Sequence, residues 1–325
     1  MSEQSVESAG PTRQSSFESP ETKVNETLAT AAEREYDHVI ALASGGTDSL
    51  CAADAYHRFY ESHDLPEIDL VVQTNTGTTL PTTLETAREF CAERGLLYAE
   101  VRNQKAGRML AHRILEHGFP AHSQGGPGSG GHWPEFINRK QDTWDKVYSS
   151  FSGQLLWISG GRVAESDRRA GNLGDGAVDF GETGDRHPRQ TWIAPIHGLL
   201  DGEKEDYIEE HDIPETLAYD VVGYSGDCTA CSFDDPRVLN EIRLLCPELA
   251  YALETLVVWV YQRIRRGEID QPVERCVWGT QIEADAEVPD ECQRSLQWGG
   301  CSAPDCRASK ATEDGTETNE GADSQ

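Results

Sequence analysis

The sequence predicts an α/β domain built on a parallel sheet with helices on both faces, followed by a small helical C-terminal domain bearing cysteines. Short apolar runs at 39–43, 69–74, 96–101, 154–159 and 190–196 alternate with helix-length segments, the pattern of parallel strands joined by crossover helices. The first run is apolar at consecutive rather than alternate positions, as befits a strand covered on both faces. Glycine-bearing loops at 44–49, 75–81 and 160–169 follow the first, second and fourth runs. All three therefore fall on the carboxyl edge of the sheet, where such folds bind ligands. Together these features describe a Rossmann-like sheet.

Taken in order, residues 1–34 are rich in Ser, Glu and Thr with few large apolar side chains, and a disordered tail is expected there. The α/β domain spans 35–225. After the first strand and its loop, a helix of small residues begins at Thr47. Pro81 suits the first turn of a helix running to Arg94 and stopped at Gly95. Residues 105–117 read as a helix ended by Gly118, and 118–134 as a glycine-rich loop that either covers the site or is uninformative. Residues 135–150 read as helical, and 203–211 as a helix with Asp201 as its cap. The C-terminal domain spans 226–307, with two helices over 237–266 split at Pro247, and 308–325 is a polar tail.

The formal net charge is −29, and only six of the 28 basic residues are lysine. Carboxylate excess with scarce lysine along the whole chain reads as adaptation to high salt (a halophilic protein) or as a generally acidic one. Such a surface repels nucleic acid at low salt, so a polyanion must enter through a local arginine patch. There is no apolar run of membrane-spanning length and no apolar signal core, so a cytoplasmic location and no membrane association are expected. In a reducing compartment, nine cysteines point to metal or redox chemistry over disulfides.

The chemistry centres on Ser44-Gly45-Gly46-Thr47-Asp48-Ser49. A strand, a Gly/Ser loop and a helix N-terminus make an anion site, because free amides point at the ligand and the helix dipole favours negative charge. No Gly-Lys-Ser/Thr follows, as a P-loop kinase requires, and the string is not Gly-x-Gly-x-x-Gly. It resembles the pyrophosphate loop (PP-loop) of the adenine nucleotide alpha hydrolases, the group of ATP pyrophosphatases and phosphoadenylyl-sulfate (PAPS) reductases. Further segments of PAPS-reductase type stand in family order over residues 36–225. They are Asn75-Thr76-Gly77 with Pro81-Thr82-Thr83, then Gly160, Arg162, Glu165, Ser166 and Arg169, and finally Pro195-Ile196 with Ile213-Pro214.

The resemblance implies a PP-loop (HUP-type) fold and a nucleotide site made by Ser44, Gly45, Gly46, Thr47, Asp48, Ser49, Thr76, Gly77, Gly160, Arg162, Glu165 and Ser166. Asp48, Arg162 and Arg169 are the candidate catalytic residues. Arg162, Arg168 and Arg169 form a cluster of forked donors suited to phosphate or sulfate oxygens. Asp48 is either a loop-bracing acceptor or a magnesium ligand.

Cys51 and Cys91 lie in expected helices and read as small buried hydrophobes. Cys228-Thr-Ala-Cys231 and Cys301-Ser-Ala-Pro-Asp-Cys306 are close pairs at opposite ends of a helical insert. Four thiolates suit a [4Fe–4S] cluster or structural zinc, and spacing does not separate the two. The resemblance favours the cluster, because PAPS-reductase-like proteins of DNA phosphorothioation systems carry iron–sulfur clusters on C-terminal cysteines. The Glu-Cys-Gly-x-His-type segment of assimilatory PAPS reductases is replaced here by Glu291-Cys292-Gln293. The resemblance is accordingly stronger to the phosphorothioation branch.

Three functions are compatible with this. The first is an ATP-dependent sulfur-transfer enzyme that releases pyrophosphate by adenylylating an acceptor, with Mg2+, a cluster and a sulfur-donor protein such as a cysteine desulfurase. Nucleic acid enters there only as an acceptor. The second is a PAPS or adenylyl-sulfate reductase. The third is a non-catalytic nucleotide-binding subunit of a DNA modification or defence complex.

Overall fold

The computed structural model describes residues 19–103, 111–112, 114–116, 140–165, 176–181, 189–229 and 237–269. Among these, the strands are β1 (His38–Ala43), β2 (Leu70–Thr74), β3 (Tyr98–Val101), β4 (Leu155–Ile158), β5 (Val178–Asp179) and β6 (Gln190–Ile193). They form one sheet in the order β3-β2-β1-β4-β6-β5. Every pairing is parallel except β5 with β6. This is the Rossmann-like sheet expected from the alternating pattern. Its strand order reverses between β1 and β4, so the loops after these two strands flank the switch point.

The helices are α1 (Pro20–Ala31), α2 (Thr47–Phe59), α3 (Pro81–Glu93), α4 (Asp142–Ser149), α5 (Asp201–Glu210), α6 (Ala218–Val222), α7 (Arg237–Leu245) and α8 (Pro247–Arg265). β1 shows why its residues are apolar in succession. Val39, Ala41 and Ala43 enter a core with α1, α2, α3 and α5 residues on one face. Ile40 enters the opposite core with Val72, Leu155, Trp157 and Tyr148 of α4. The small residues of α2 let it lie close on the sheet, with Leu50, Cys51 and Ala52 fully buried.

Asp54, on the same helix, is 1% exposed and meets Arg94 Nε at 2.6 Å, Arg58 Nε at 2.5 Å and the Tyr207 hydroxyl at 2.8 Å. A buried carboxylate is tolerated only with such partners, and these tie α2 to α3 and α5.

The structure corrects several expectations. Residues 20–31, assigned to a disordered tail, form α1. Ser19 caps it, Pro20 occupies its first turn, and Val24, Leu28 and Ala31 bury one stripe in the main core. Three modest apolar residues at i, i+4 and i+7 make a sufficient seam when a helix has a preformed surface to lie on. Residues 1–18 lie outside the described residues, as does 308–325.

Asp201 is the first residue of α5 rather than its cap. The Leu200 amide donates instead to Glu203 Oε2 at 2.8 Å. The last parallel strand stops at Ile193, followed by a turn at 195–198, and the antiparallel edge strand β5 was not foreseen.

The two-helix reading of 237–266 agrees with α7 and α8, but the boundary at 225/226 does not isolate them. Leu80, Ile114, Ala218 and Val222 of the α/β part share one core with Leu239, Ile242, Leu253, Val257 and Val260. The loop 118–134 lies outside the described residues. Among those described, no helix is long and apolar enough to cross a membrane.

Candidate functional site

The loop between β1 and α2 is held by its own hydroxyls. The Ser44 amide donates to Ser49 Oγ at 3.0 Å, the two serine hydroxyls lie 3.1 Å apart, and Ser49 Oγ donates to the Gly46 carbonyl at 2.8 Å. The Gly46 amide reaches Ser44 Oγ at 3.3 Å. These serines therefore brace the turn. The groups left for a ligand are the first-turn amides of α2: Gly46 is its N-cap, without a side-chain cap, and Thr47 and Asp48 have no acceptor one turn back.

Gly45 has φ +75°, and a Cβ there would stand 2.4 Å from the Thr83 carbonyl oxygen. Both the backbone conformation and the approach of α3 require glycine. Gly160 is needed for a different reason. A Cβ on it would lie 2.6 Å from backbone atoms of Asp48 and Ser49, so the loop after β4 is pressed against the first turn of α2.

Two residues beyond Gly160, Arg162 is 3% exposed. Its Nε meets Asp48 Oδ1 at 3.1 Å, while Nη1 donates to Asp201 Oδ1 at 2.9 Å and to the Leu199 carbonyl at 3.2 Å. Burial works to lower the pKa of Arg162, but Asp48 and Asp201 outweigh it and hold the pKa above the ordinary value. Lys204 Nζ approaches the same Asp48 oxygen at 3.4 Å. The fork expected to face a phosphate is thus committed to two carboxylates and a carbonyl. Asp48 is a brace shared by two cations, a poor setting for a magnesium ligand.

Glu165 ends a short 3-10 turn, Val163–Glu165. Ser166, Arg168 and Arg169 lie outside the described residues.

The second loop is laced from the far end of the domain by residues 225–229. Gly77 has φ +84°, and its amide donates to Asn75 Oδ1 at 2.8 Å. The hydroxyls of Thr76 and Thr79 both donate to the Asp227 carbonyl, at 3.0 and 2.7 Å. The Leu80 amide donates to the Gly226 carbonyl at 2.9 Å, and Thr229 Oγ1 to the Thr78 carbonyl at 2.6 Å. The Thr83 hydroxyl donates to the Ser225 carbonyl, and Lys140 pairs with Asp227.

This strap touches both loops. A Cβ on Gly46 would meet Ser225 Cβ at 3.1 Å, and Cys228 Sγ lies 3.8 Å from Thr78 Oγ1. The half-buried Cys228 therefore stands on the ligand edge of the sheet, next to the Asn-Thr-Gly loop. Cys51 and Cys91 are buried free thiols whose pKa values burial pushes up to about 12, which makes them inert. Cys231, Cys301 and Cys306 lie outside the described residues, as does Cys292. Among the described residues, no group of three or more His, Cys, Asp or Glu is gathered as for a metal ion.

Sequence reasoning did not find Lys204, Asp227 or Tyr219. Tyr219, on α6, brings its hydroxyl oxygen to the N-terminal end of α2. A Cβ on Gly46 would lie 3.0 Å from that oxygen. Burial and the nearby Asp48 raise its pKa to about 12. No motif marks it; a lone tyrosine in a five-residue helix looks like any other.

A scan against protein-family models matches none, and a search of curated proteins likewise finds no match. Among solved structures, the chain is similar to a phosphoadenylyl-sulfate (PAPS) reductase from Candida auris in a phosphate complex. The TM-score is 0.41 at 14% identity, covering 63% of this chain and 85% of that one. It is similar to the U34-tRNA thiolase NcsA from Methanococcus maripaludis with its [4Fe-4S] cluster, with TM-score 0.45 at 20% identity over 82% of this chain and 81% of that one. It is also similar to an NMN synthetase from Francisella tularensis, with TM-score 0.42 at 15% identity over 78% and 98% of the two chains.

Proposed function

We propose that this chain is an ATP-pyrophosphatase-type sulfur-transfer enzyme. ATP lies along the carboxyl edge of the sheet with its pyrophosphate against the first turn of α2, where the amides of Thr47 and Asp48 and the helix dipole favour an anion. An acceptor oxygen attacks the α-phosphorus, the bond to the pyrophosphate oxygen breaks, and pyrophosphate departs. A sulfur nucleophile then displaces AMP from the adenylylated acceptor. Amides held rigid by Ser44 and Ser49 stabilise the charge that grows on the leaving pyrophosphate without reorganising.

The observation that carries this reading is the strap 225–229. It contacts the phosphate loop at Gly46 through Ser225 and holds Cys228 against Thr78 three residues later. A thiol and an anion loop on one edge suit chemistry that joins sulfur to an activated substrate.

Within this reading Arg162 and Lys204 are positioning residues. Asp48 sits in the first turn of α2, and uncompensated it would repel phosphate. The two cations neutralise it. Magnesium accompanies the nucleotide phosphates, and no step is assigned to a metal held by Asp48. Cys228 fits the thiolate character of an iron–sulfur or zinc ligand, with Cys231, Cys301 and Cys306 as its proposed partners. When bound, such a cluster would supply sulfur handling or electron transfer. A cysteine desulfurase is the proposed class of sulfur donor.

The test compares two reactions of the full chain. ATP-dependent pyrophosphate release that requires an acceptor, without sulfite production from PAPS, is the expected result. Sulfite formed from PAPS with a thiol donor would make it a reductase instead. Stoichiometric ATP binding without turnover would make it a nucleotide-binding subunit.

A further inference from the structure

We infer that the outward face of α8 is the interface of a homodimer, covered by a second copy of this chain whose α8 lies antiparallel across it. The helix has two apolar sides. Ala250, Leu253, Val257 and Val260 are buried in the core shared with α7. On the other side Tyr251 is 72% exposed, Val258 50% and Trp259 53%. Thr255 and Gln262 stand exposed on the same stripe, at the three- and four-residue spacing that keeps side chains on one helix face. A helix apolar all round belongs in an interior, and a rimmed apolar patch marks an interaction site. The Thr255 hydroxyl already donates to the Tyr251 carbonyl at 2.9 Å, so covering it leaves no donor unmet.

Charge selects the occupant. The chain carries −29, so most of its surface repels another copy. Residues 237–269 differ: they hold five arginines and four glutamates, with no lysine or aspartate, a net charge of +1. Two copies can meet there without like-charge repulsion. The exposed positions from Tyr251 to Gln262 are uncharged, and charge stands only at the ends of the stripe. Glu248 is exposed in the first turn of α8 and Arg266 at its C-cap. Arg266 keeps 62% of its side chain exposed, with Glu268 no nearer than 3.8 Å.

The stripe is self-complementary. Glu248 lies nine residues before Val257 and Arg266 nine after it, a separation of about five full turns, so both stand on the same side of the helix. A two-fold axis level with Val257 sets Glu248 of each copy beside Arg266 of the other. The same axis sets Thr255 beside Trp259 of the second copy, small against large, and Ala252 beside its Gln262. The paired span is about 27 Å long. Such an isologous contact closes as a dimer and does not propagate.

Sedimentation equilibrium of the full chain at micromolar concentration should give twice the chain mass. Trp259→Glu and Val258→Glu should each give a monomer. Both positions are exposed in the single chain, so circular dichroism should not change. Arg266→Glu should weaken the dimer about ten-fold, since two like-charged pairs replace two attractive ones. Adding Glu248→Arg to Arg266→Glu should restore wild-type affinity.

A monomeric wild type would overturn the interface, with residues 270–325 or another macromolecule as the cover of this face. A dimer that survives both Trp259→Glu and Val258→Glu would place the contact elsewhere and overturn it too. Arg266→Glu without effect, or a failure of Glu248→Arg to restore it, would overturn the antiparallel register.

Discussion

Arg162 and Asp48 meet at 3.1 Å across the switch point of the sheet, one from the loop after β4 and the other from the first turn of α2. The pair fastens the two loops that flank the proposed pyrophosphate site. Arg162→Ala leaves Asp48 with Lys204 alone and empties a buried position. Stability should fall by roughly 1–3 kcal/mol, and ATP affinity by about ten-fold. Arg162→Lys should recover little of either, since a single ammonium cannot span Asp48, Asp201 and the Leu199 carbonyl. Urea unfolding and calorimetry report the two effects. Wild-type values for Arg162→Ala in both would show that the pair supports neither the fold nor nucleotide binding.

Gly160 gives a sharper geometric test. A Cβ at 2.6 Å from the backbone of Asp48 and Ser49 must push α2 away from the loop, because neither neighbour is a flexible side-chain end. Gly160→Ala should cost roughly 1–3 kcal/mol and impair nucleotide binding. Gly202, in the first turn of α5 with nothing within 4 Å of an added Cβ, is the control. Gly202→Ala should be neutral or stabilise by about 0.5–1 kcal/mol. Equal behaviour of the two variants would contradict the close approach.

These residues show what a sequence can and cannot disclose. The strand β1, its Gly-Gly turn and α2 were legible, because an apolar run, a pair of glycines and a stretch of small residues each carry a local physical meaning. The importance of Gly160 was legible, but its cause was not, since the cause is a backbone more than a hundred residues away in sequence. Arg162 was found as a cation suited to phosphate oxygens, but its pairing with Asp48 and Asp201 was not; Asp201 looked like a helix cap. The strap was invisible for a deeper reason. It binds through the carbonyls of Ser225, Gly226 and Asp227, and every residue has a carbonyl. α1 escaped because Val24, Leu28 and Ala31 are a sparse stripe in a polar segment.

That helix has a pH signature. Glu203 accepts from Lys23 of α1 at 2.6 Å and from the Leu200 amide at 2.8 Å. Burial opposes its ionisation, but these partners prevail and hold its pKa below the ordinary value. A carboxylate with a depressed folded-state pKa contributes stability that is present above the unfolded pKa, near 4.5, and lost as pH falls through the lower folded value. Wild type should therefore lose up to about 1 kcal/mol in that acid window, and Glu203→Gln should lack this loss while being less stable at pH 7. Matching pH profiles for the two proteins would dismiss the clasp. Leu28→Ala, at a fully buried position, should cost about 2–4 kcal/mol, an effect that a disordered tail could not produce.

The thiols divide into two kinds. Cys228 is half-buried on the ligand edge, whereas Cys51 and Cys91 are sealed in the core. Protein purified without oxygen should be brown, with broad absorption near ~400 nm from sulfur-to-iron charge transfer. Serine at Cys228, Cys231, Cys301 or Cys306 should bleach it, and serine at Cys51 or Cys91 should not. A colourless protein with about one zinc per chain would replace the cluster by a structural site. Absence of both metals would leave Cys228 and Cys231 as a candidate dithiol.

The central claim is that the first turn of α2 receives the pyrophosphate of an adenine nucleotide. Calorimetric titration of the full chain with magnesium-ATP, repeated in the presence of inorganic pyrophosphate, tests it most directly. The comparison is with Gly46→Val, whose side chain would enter the space between Tyr219 and Ser225. The account predicts saturable ATP binding to wild type, competed by pyrophosphate, and at least about ten-fold weaker binding by Gly46→Val with an unchanged far-ultraviolet circular dichroism spectrum. ATP binding that pyrophosphate does not compete, or that a folded Gly46→Val retains in full, would contradict it.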